Sequence, residues 1–357
     1  MSAKTDPASA RHATEPSSEN HRRRASITLF RRSLQILFLL LVLVIGVQFV
    51  LFVNTSLKPG GPSVSRPAGV GAFLPIAGLM GLRHWFETGR LDNVQPSAAV
   101  FLLLAVLLSV LFKKSFCSWV CPFGTLSEYL WRLRSWITPG WARHRVPRWL
   151  DAVFMAPKYI LLAFFAGFIA LMPLSAVGNF IHSPYNRLVD VRMLLFFEHP
   201  SRLVLGVLLG LLLLSFLVKN AWCRYFCPYG ALLGLAGLAS PAKVKRYEAA
   251  CTGCGACTRA CPMHLKVHEL GTVRSPECTS CLLCLDACPV NDALAAGPTR
   301  SWNRMKTGLA AAGLVLLVIL GGIGLARATG HWRNGMTQAQ YRQEIPRVAG
   351  RETGGRR

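Results

Sequence analysis

The cysteines of this chain fall into four motifs, and none lies outside them. The 357 residues include 12 cysteines. Two runs have four cysteines each, spaced Cys-x2-Cys-x2-Cys-x3-Cys-Pro, and two shorter motifs are spaced Cys-x3-Cys-Pro. Cysteines that only fill a hydrophobic core need no such clustering. The distribution therefore indicates metal or redox chemistry.

The two long runs lie at residues 251–262 and 278–289. Their spacing is that of the bacterial ferredoxin run for two [4Fe–4S] clusters, in which the fourth cysteine of each run ligates the other cluster. Zinc is the alternative, but zinc sites use two Cys-x2-Cys pairs or Cys/His mixtures with a longer gap. We therefore predict two crossed ligand sets: Cys251, Cys254, Cys257 and Cys288 for the first cluster, and Cys278, Cys281, Cys284 and Cys261 for the second.

The two shorter motifs contain Cys117 with Cys121, and Cys223 with Cys227, at an offset of 106 residues. On a continuous helix, residues four apart share one face with Cβ atoms about 5–6 Å apart. A disulfide needs Cβ atoms about 3.5–4.5 Å apart, so such a pair is better suited to share a metal or a redox partner. Because the motif is repeated, we expect all four thiols to converge. A copper site or a dithiol relay would use such a group, and structural cysteines at a helix end are the alternative.

The elements that position these cysteines are predicted to be membrane helices. The hydrophobic fraction is 52% and the charged fraction 16%, against about 25% charged residues in an average soluble domain. The apolar residues form long runs, which predict an all-α membrane bundle with an inserted α+β two-cluster ferredoxin-like module. About five transmembrane helices are predicted, at residues 34–53, 97–115, 153–172, 203–221 and 307–326.

Two of these spans have short apolar stretches, at residues 97–112 and 203–218. Sixteen residues make about 24 Å of helix, whereas the hydrocarbon core is about 30 Å thick. We therefore expect both helices to continue into the Cys-x3-Cys-Pro motifs and to place them at the membrane boundary. After the first motif, Thr125 and Glu128 form a capping-box pattern that predicts the start of a new helix.

The distribution of basic residues predicts the orientation in the membrane. The net charge of +24 comes mainly from Arg and Lys beside apolar runs, which is a topology signal rather than a sign of nucleic-acid binding. The connections at 113–151 and 219–306 are expected in the cytoplasm. The predicted plan is a disordered cytoplasmic N-terminus (1–32), a transmembrane region with four spans (33–239), the ferredoxin module (240–299), the fifth helix (307–326) and a polar periplasmic tail (327–357).

The combination of FCSWVCPFG, WCRYFCPYG and two ferredoxin runs resembles the NapH/MauN/NosR-type membrane polyferredoxins, whose relatives include the FixG/RdxA/CcoG group. The resemblance implies an electron-transfer protein of the bacterial inner membrane. Such a protein would link cytoplasmic or quinone-pool electrons to a membrane or periplasmic redox partner, such as a periplasmic reductase or a flavoprotein. The CcoG branch implies the alternative, a copper-reducing assembly factor for a respiratory oxidase or reductase.

Other cofactors have weaker sequence support. His84, His182 and His199 lie near the predicted outer side, but no predicted span contains a pair of histidines, so we predict no haem. A quinone site at the outer helix ends is an alternative to solvated histidines. The sequence has no Gly-rich phosphate loop in a strand–helix context, so neither a nicotinamide nor a flavin site is predicted.

Overall fold

The computed structural model describes residues 26–57, 64–138, 147–290, 292–297 and 304–354. It is mostly helical. In chain order the helices are α1 (Ser26–Leu57), α2 (Pro75–Thr88), α3 (Pro96–Phe112), α4 (Phe116–Trp119), α5 (Pro122–Ile137), α6 (Arg148–Leu171), α7 (Leu174–Ile181), α8 (Pro184–Arg187), α9 (Val189–Glu198), α10 (Arg202–Leu217), α11 (Pro228–Ala236), α12 (Ala256–Ala260), α13 (Leu283–Asp286), α14 (Arg304–Leu316), α15 (Gly322–Ala328) and α16 (Gln338–Gly354).

Three helices in the described part of the chain are long and apolar enough to cross a membrane. They are α1, α6 and the continuous helix formed by α14, a π-helical turn and α15. They match the predicted first, third and fifth spans, with wider bounds. The second predicted span is the shorter apolar helix α3, and the fourth is α10, which meets α9 at a bend of 84°. The total of five spans stays a prediction.

The start of α1 corrects one prediction. The helix begins at Ser26, so the expected disorder of residues 1–32 is wrong for residues 26–32, and residues 1–25 lie outside the described residues. The early helical turns make specific contacts with the cysteine-rich module. The backbone N–H and the hydroxyl of Thr28 both donate to Oδ2 of Asp286, at 2.8 and 2.5 Å.

Neither short span continues as a helix into its cysteine motif, so that prediction is wrong. After α3, Lys113 has φ 50° and ψ −159°, which no helix permits. Its backbone N–H donates to Oγ of Ser240 at 3.0 Å, and that hydroxyl donates to the carbonyl of Leu111 at 3.1 Å. After α10, Val218 is extended and Asn220 has φ 50°. The end of α3 is therefore tied to Ser240, the first residue of the predicted ferredoxin module.

The cysteine-rich module is closed by a short antiparallel pair of strands, β1 (Val244–Arg246) and β2 (Leu294–Ala296), with Val244 opposite Ala296. Between the strands lie α12 and α13, which begin at Ala256 and Leu283, at the same 27-residue offset as the two cysteine runs. The module does not hang free. Leu282 and Leu285 lie in one buried apolar cluster with Leu108 of α3 and Val315 of α14, so the module and the helical bundle share a core.

The predicted polar tail forms a packed helix instead. Tyr341, Ile345 and Val348 of α16 are buried against Phe52 of α1 and Val191 of α9. The Tyr341 ring meets the Phe52 ring edge-on, at 5.4 Å between centroids. Spacings of four and three residues between the buried positions are a helical pattern that the sequence contained. The tail packs near one end of α1, and the cysteine-rich module packs near the other.

Candidate metal centre

The structure gathers the eight cysteines of the long runs around two cavities. The cavity beside the first run is lined by Cys251, Cys254, Cys257 and Cys288. The cavity beside the second run is lined by Cys278, Cys281, Cys284 and Cys261. Each cavity thus receives three cysteines from one run and the fourth from the other, which is the grouping that crossed ligation requires. That these cysteines bind iron stays a prediction.

The two loops around these cavities share a backbone conformation. In the first run, Gly253 and Gly255 have φ angles of 70° and 68°; in the second, Ser280 and Leu282 have φ angles of 47° and 58°. The positions are related by the 27-residue offset. Left-handed residues in a loop can turn successive N–H groups toward one side, where they favour anionic groups such as iron–sulfur clusters. The residues therefore fit a cluster, although Leu282 is a side chain that rarely takes this conformation.

A cubane cluster needs a wider cage than a single ion does, because its ligands bind four different irons. Within the described residues, no three His, Cys, Asp or Glu side chains lie close enough together to hold one metal ion. Each cavity is instead lined by one cysteine set and mostly by small or apolar residues, and the first cavity is also lined by Arg246 and His268.

The four remaining thiols also come together. Cys117 lies buried in α4, and Cys223 lies buried in a π-helical turn, Trp222–Phe226. Cys223 is near enough to Cys117, Cys121 and Cys227 for their charges to interact. The four thiols thus lie in one region of the described structure, but no three of them are close enough together to hold one metal ion, so a shared thiol site stays a prediction.

The local geometry of these thiols differs from the prediction. Cys121 and Cys227 have extended backbones and cap α5 and α11, so the two cysteines of a motif do not share one helix face. The cause is the following proline, which disfavours helical backbone in the residue before it. Each proline instead begins the next helix, and α5 begins at Pro122 rather than at Thr125. The Cys227 sulfur accepts a hydrogen bond from the N–H of Gly230 at 3.3 Å.

The second motif is anchored to α6 through a buried arginine. Nε of Arg224 donates to Oδ1 of Asp151 at 2.8 Å, and its Nη2 donates to Oδ2 of the same carboxylate. The hydroxyl of Tyr225 donates to Asp151 at 2.7 Å. Two residues between Cys223 and Cys227 thus hold the position of the motif.

The first motif forms hydrogen bonds directly with the loop of the second ferredoxin run. The Ser118 hydroxyl donates to the Thr279 carbonyl at 2.7 Å, and the indole N–H of Trp119 donates to the Ser280 carbonyl at 3.1 Å. Both donors lie between Cys117 and Cys121, and both acceptors lie between Cys278 and Cys281. The thiol group and the second cavity are therefore neighbours within one hydrogen-bonded structure.

A buried carboxylate joins these sites to the membrane helices. Glu277, directly before Cys278, accepts hydrogen bonds at Oε1 from Nζ of Lys158 at 2.6 Å and from the Tyr159 hydroxyl at 2.9 Å. Nζ of Lys114 lies 3.6 Å from its Oε2. Burial raises the pKa of Glu277, but the two lysines outweigh burial and hold that pKa below its usual value. Lys114 also interacts with the charges of Cys117, Cys223 and Cys227.

A second buried ion pair lies on the other side of the first motif. Nη1 of Arg31 donates to Oε2 of Glu128 at 2.9 Å, and Nε2 of Gln35 donates to the Ser118 carbonyl at 2.9 Å. The sequence indicates Arg31, like the other basic residues beside apolar runs, only as a topology signal, and it indicates Glu128 only as part of a capping box. Lys158 was also missed, although a charged residue inside an apolar span is a recognised sign of function.

Two family models match the chain. One, described as a 4Fe-4S binding domain, matches residues 94–139 and again 202–246, so each match contains one Cys-x3-Cys-Pro motif. The other, described as a 4Fe-4S dicluster domain, matches residues 243–289. The comparison with solved structures yields no match.

Curated relatives extend the similarity to nearly the whole chain. The putative electron transport protein YccM of Escherichia coli is 38% identical over 90% of this chain and 91% of its own length. The ferredoxin-type protein NapH of Escherichia coli is 29% identical over 46% of this chain and 54% of its own length. The methylamine utilization ferredoxin-type protein MauN of Methylorubrum extorquens is 29% identical over 54% of this chain and 70% of its own length. Because the similarity to the electron-transport relative spans both chains almost completely, this protein belongs to the membrane polyferredoxin family of iron–sulfur electron-transport proteins.

Proposed function

We propose that this protein transfers electrons between two [4Fe–4S] clusters and a second redox site formed by Cys117, Cys121, Cys223 and Cys227. It thereby links cytoplasmic or quinone-pool electrons to a membrane or periplasmic redox partner, such as a reductase or a flavoprotein. The observation that carries the proposal is the pair of hydrogen bonds from Ser118 and Trp119 to the loop between Cys278 and Cys281. These bonds connect the two cysteine groups through a few covalent and hydrogen bonds.

In this proposal the crossed cysteine sets are the iron ligands. When bound, a [4Fe–4S] cluster supplies one-electron chemistry without the transfer of atoms. The left-handed loops would direct backbone N–H groups toward the sulfurs of a bound cluster, and such hydrogen bonds help to set the reduction potential. Arg31 and Lys113 supply positive charge near Cys281 and Cys278, respectively. Their charge favours the more negative, reduced state of the site that these cysteines would form.

Burial suggests an order for the electron path. Cys254 of the first run is exposed, whereas Cys281 and Cys284 of the second run are buried beside the helical bundle. A soluble or peripheral partner can therefore approach the first cavity, whereas the second cavity adjoins the first Cys-x3-Cys-Pro motif through the hydrogen bonds of Ser118 and Trp119. We infer that electrons pass along this series of sites, with the first cavity nearest the partner.

The membrane arrangement is also part of the proposal. The cysteine-rich module faces the cytoplasm of a bacterial inner membrane, and the bundle crosses the membrane about five times. The basic connection at 113–151 supports this orientation. The packing of the module near Thr28 and of the tail helix near Phe52 supports placing them on opposite sides, because these residues lie near opposite ends of α1.

Electron paramagnetic resonance of the purified, reconstituted full-length protein tests the proposal. We expect about eight irons per chain from two cubanes, and low-potential iron–sulfur signals on reduction. Iron-loaded protein that gives no such signal would contradict it. A variant with the four thiols replaced by serine should keep both clusters but lose electron delivery to a membrane-bound acceptor. Unimpaired delivery would remove the thiols from the path.

The second candidate function is copper reduction by the same thiols, in support of oxidase or reductase assembly. It is favoured by the buried Lys114, which interacts with the charges of Cys117, Cys223 and Cys227. A copper(II) ion would take one electron from the reduced protein and become copper(I), which thiolates bind well. Copper(I) binding to the wild type, and its loss in the fourfold serine variant, is the expected result. Equal binding by both proteins would exclude this function.

A further inference from the structure

A cavity far from the cysteines has a lining that suits an anionic ligand. It lies between α1, the turn that contains Arg66 and the segment between α15 and α16, and it has a volume of about 660 Å³. Volumes of about 300–1,000 Å³ are usual for small-molecule sites. Its wall includes Gln48 and Phe52 of α1 and Tyr341 of α16.

Three arginines line this cavity, and no Asp or Glu does so among the described residues: Arg66, Arg327 and Arg333. Arg66 is neutralised, because its Nη2 lies 2.7 Å from Oδ2 of the buried Asp190. Arg327 is exposed, with its guanidinium 6.0 Å from the centroid of the Trp332 ring, and Arg333 is exposed as well. Glu344 of α16 interacts with the charge of Tyr341 but does not line the cavity. Two positive charges therefore remain for a ligand.

The polar walls of the cavity are held in place by their own hydrogen bonds. Nε2 of Gln48 donates to the Ser65 carbonyl at 3.2 Å, and Nε2 of Gln338 donates to the Val64 carbonyl at 2.9 Å. Nδ2 of Asn334 donates to the Tyr341 hydroxyl. These bonds join α1, the turn and the beginning of α16, so the arginines lie at a preformed site.

The surfaces next to the cavity are apolar and exposed. On α1, Val47 is 61% exposed and Leu51 is 50% exposed; on α15, Leu325 is 67% exposed. These side chains belong to helices long and apolar enough to cross a membrane. Arg327 and Phe52 lie near the ends of those helices, where the lipid headgroups would be. The site therefore combines a cationic cavity with an adjoining hydrocarbon-facing surface.

We propose that this cavity binds the headgroup of an anionic phospholipid. The phosphodiester lies between Arg327 and Arg333, and the acyl chains run along the apolar surfaces of α1 and α15. Arginine matches phosphate oxygens through paired N–H groups, and the adjoining apolar surface distinguishes a lipid from a free phosphate ion. Because the cavity is formed partly by α16, the lipid would also hold the tail helix against the bundle.

Lipid titration of the full-length protein in detergent, followed by native mass spectrometry, tests this proposal. The probes are phosphatidylglycerol, the zwitterionic phosphatidylcholine and inorganic phosphate. In the wild type we expect phosphatidylglycerol to bind in preference to phosphatidylcholine and to resist displacement by inorganic phosphate. The double variant R327Q/R333Q should bind phosphatidylglycerol about tenfold or more weakly, since each basic residue near an anionic lipid contributes substantially.

The matched control is R202Q, which removes one exposed arginine at the start of α10 and should leave binding unchanged. If the double variant does not fold, the exposed Arg333 permits R333Q alone, with an expected loss of about threefold or more. Equal retention of phosphatidylglycerol by R327Q/R333Q and the wild type, or an equal loss in R202Q, would overturn the proposal. Displacement of the lipid by inorganic phosphate would show a free-anion site instead. None of these readouts depends on electron transfer.

Discussion

The indole N–H of Trp119 donates a hydrogen bond to the carbonyl oxygen of Ser280 at 3.1 Å. The two residues are 161 positions apart and both are buried, with exposures of 0% and 1%. Trp119 lies within the first Cys-x3-Cys-Pro motif, and Ser280 lies within the second long cysteine run. This contact makes the two motifs parts of one site, and it supplies the first prediction.

We expect Trp119→Phe to destabilise the protein by about 1–3 kcal/mol. The ring keeps its place beside Phe112, at 6.3 Å between centroids, but the buried Ser280 carbonyl loses its donor. The midpoint of thermal unfolding in detergent measures the effect, and electron delivery should slow at the same time. Trp149→Phe is the control, because Trp149 is 71% exposed. Its replacement should change the free energy of unfolding by less than about 0.5 kcal/mol. An equal effect of both changes would argue against a role for the contact.

We expect Glu277→Gln to lower the free energy of unfolding by about 3–5 kcal/mol. The change leaves the buried ammonium groups of Lys114 and Lys158 without their carboxylate. Chemical denaturation followed by fluorescence would measure the loss. Glu269→Gln removes a comparable charge from an exposed pair with Lys266 and should cost at most about 1 kcal/mol. If Glu277→Gln lowers the free energy of unfolding no more than Glu269→Gln does, water or structural relaxation compensates the two buried lysine charges.

Single serine replacements distinguish crossed from uncrossed ligation. Cys261→Ser should damage the same cluster as Cys278→Ser, and Cys288→Ser the same cluster as Cys251→Ser, because the cavities group these cysteines in that way. The electron paramagnetic resonance spectrum of the remaining cluster identifies which one was lost. If Cys261→Ser instead reproduced the spectrum of Cys251→Ser, each run would ligate its own cluster.

Corresponding glycines of the two Cys-x3-Cys-Pro motifs should respond differently to alanine. A Cβ at Gly124 would collide with the carbonyl oxygen of Cys117, whereas a Cβ at Gly230 would lie 3.5 Å from the carbonyl oxygen of Cys223. Gly124→Ala should therefore lower the free energy of unfolding by about 1–3 kcal/mol. Gly230→Ala should be neutral or stabilise α11 by up to about 1 kcal/mol. Thermal unfolding of both variants provides the comparison, and a neutral Gly124→Ala would contradict the close packing of the first motif.

The sequence by itself determined the features that depend on short spacing. The intervals within the cysteine runs and their 27-residue repeat indicated two equivalent cysteine loops, and long apolar stretches predicted α1, α6 and the helix at 304–328. Such features are local, because a loop of a few residues or one helix is specified by its own composition. The crossed grouping of Cys261 and Cys288 was also predictable, since a tight loop leaves the fourth cysteine too far along to join the other three.

Only the tertiary structure decided where the charges and the helix ends lie. Lys158 meets Glu277 across 119 positions, and Arg31 meets Glu128 across 97. A buried charge is tolerated when an opposite charge reaches it, and a linear sequence does not show which distant residues will meet. The break at Lys113 has the same origin, because the hydroxyl of Ser240, 127 positions away, accepts the Lys113 N–H. The cysteine spacing thus indicated the two cysteine loops, and long-range pairing of buried polar groups joined them to the thiols of the Cys-x3-Cys-Pro motifs.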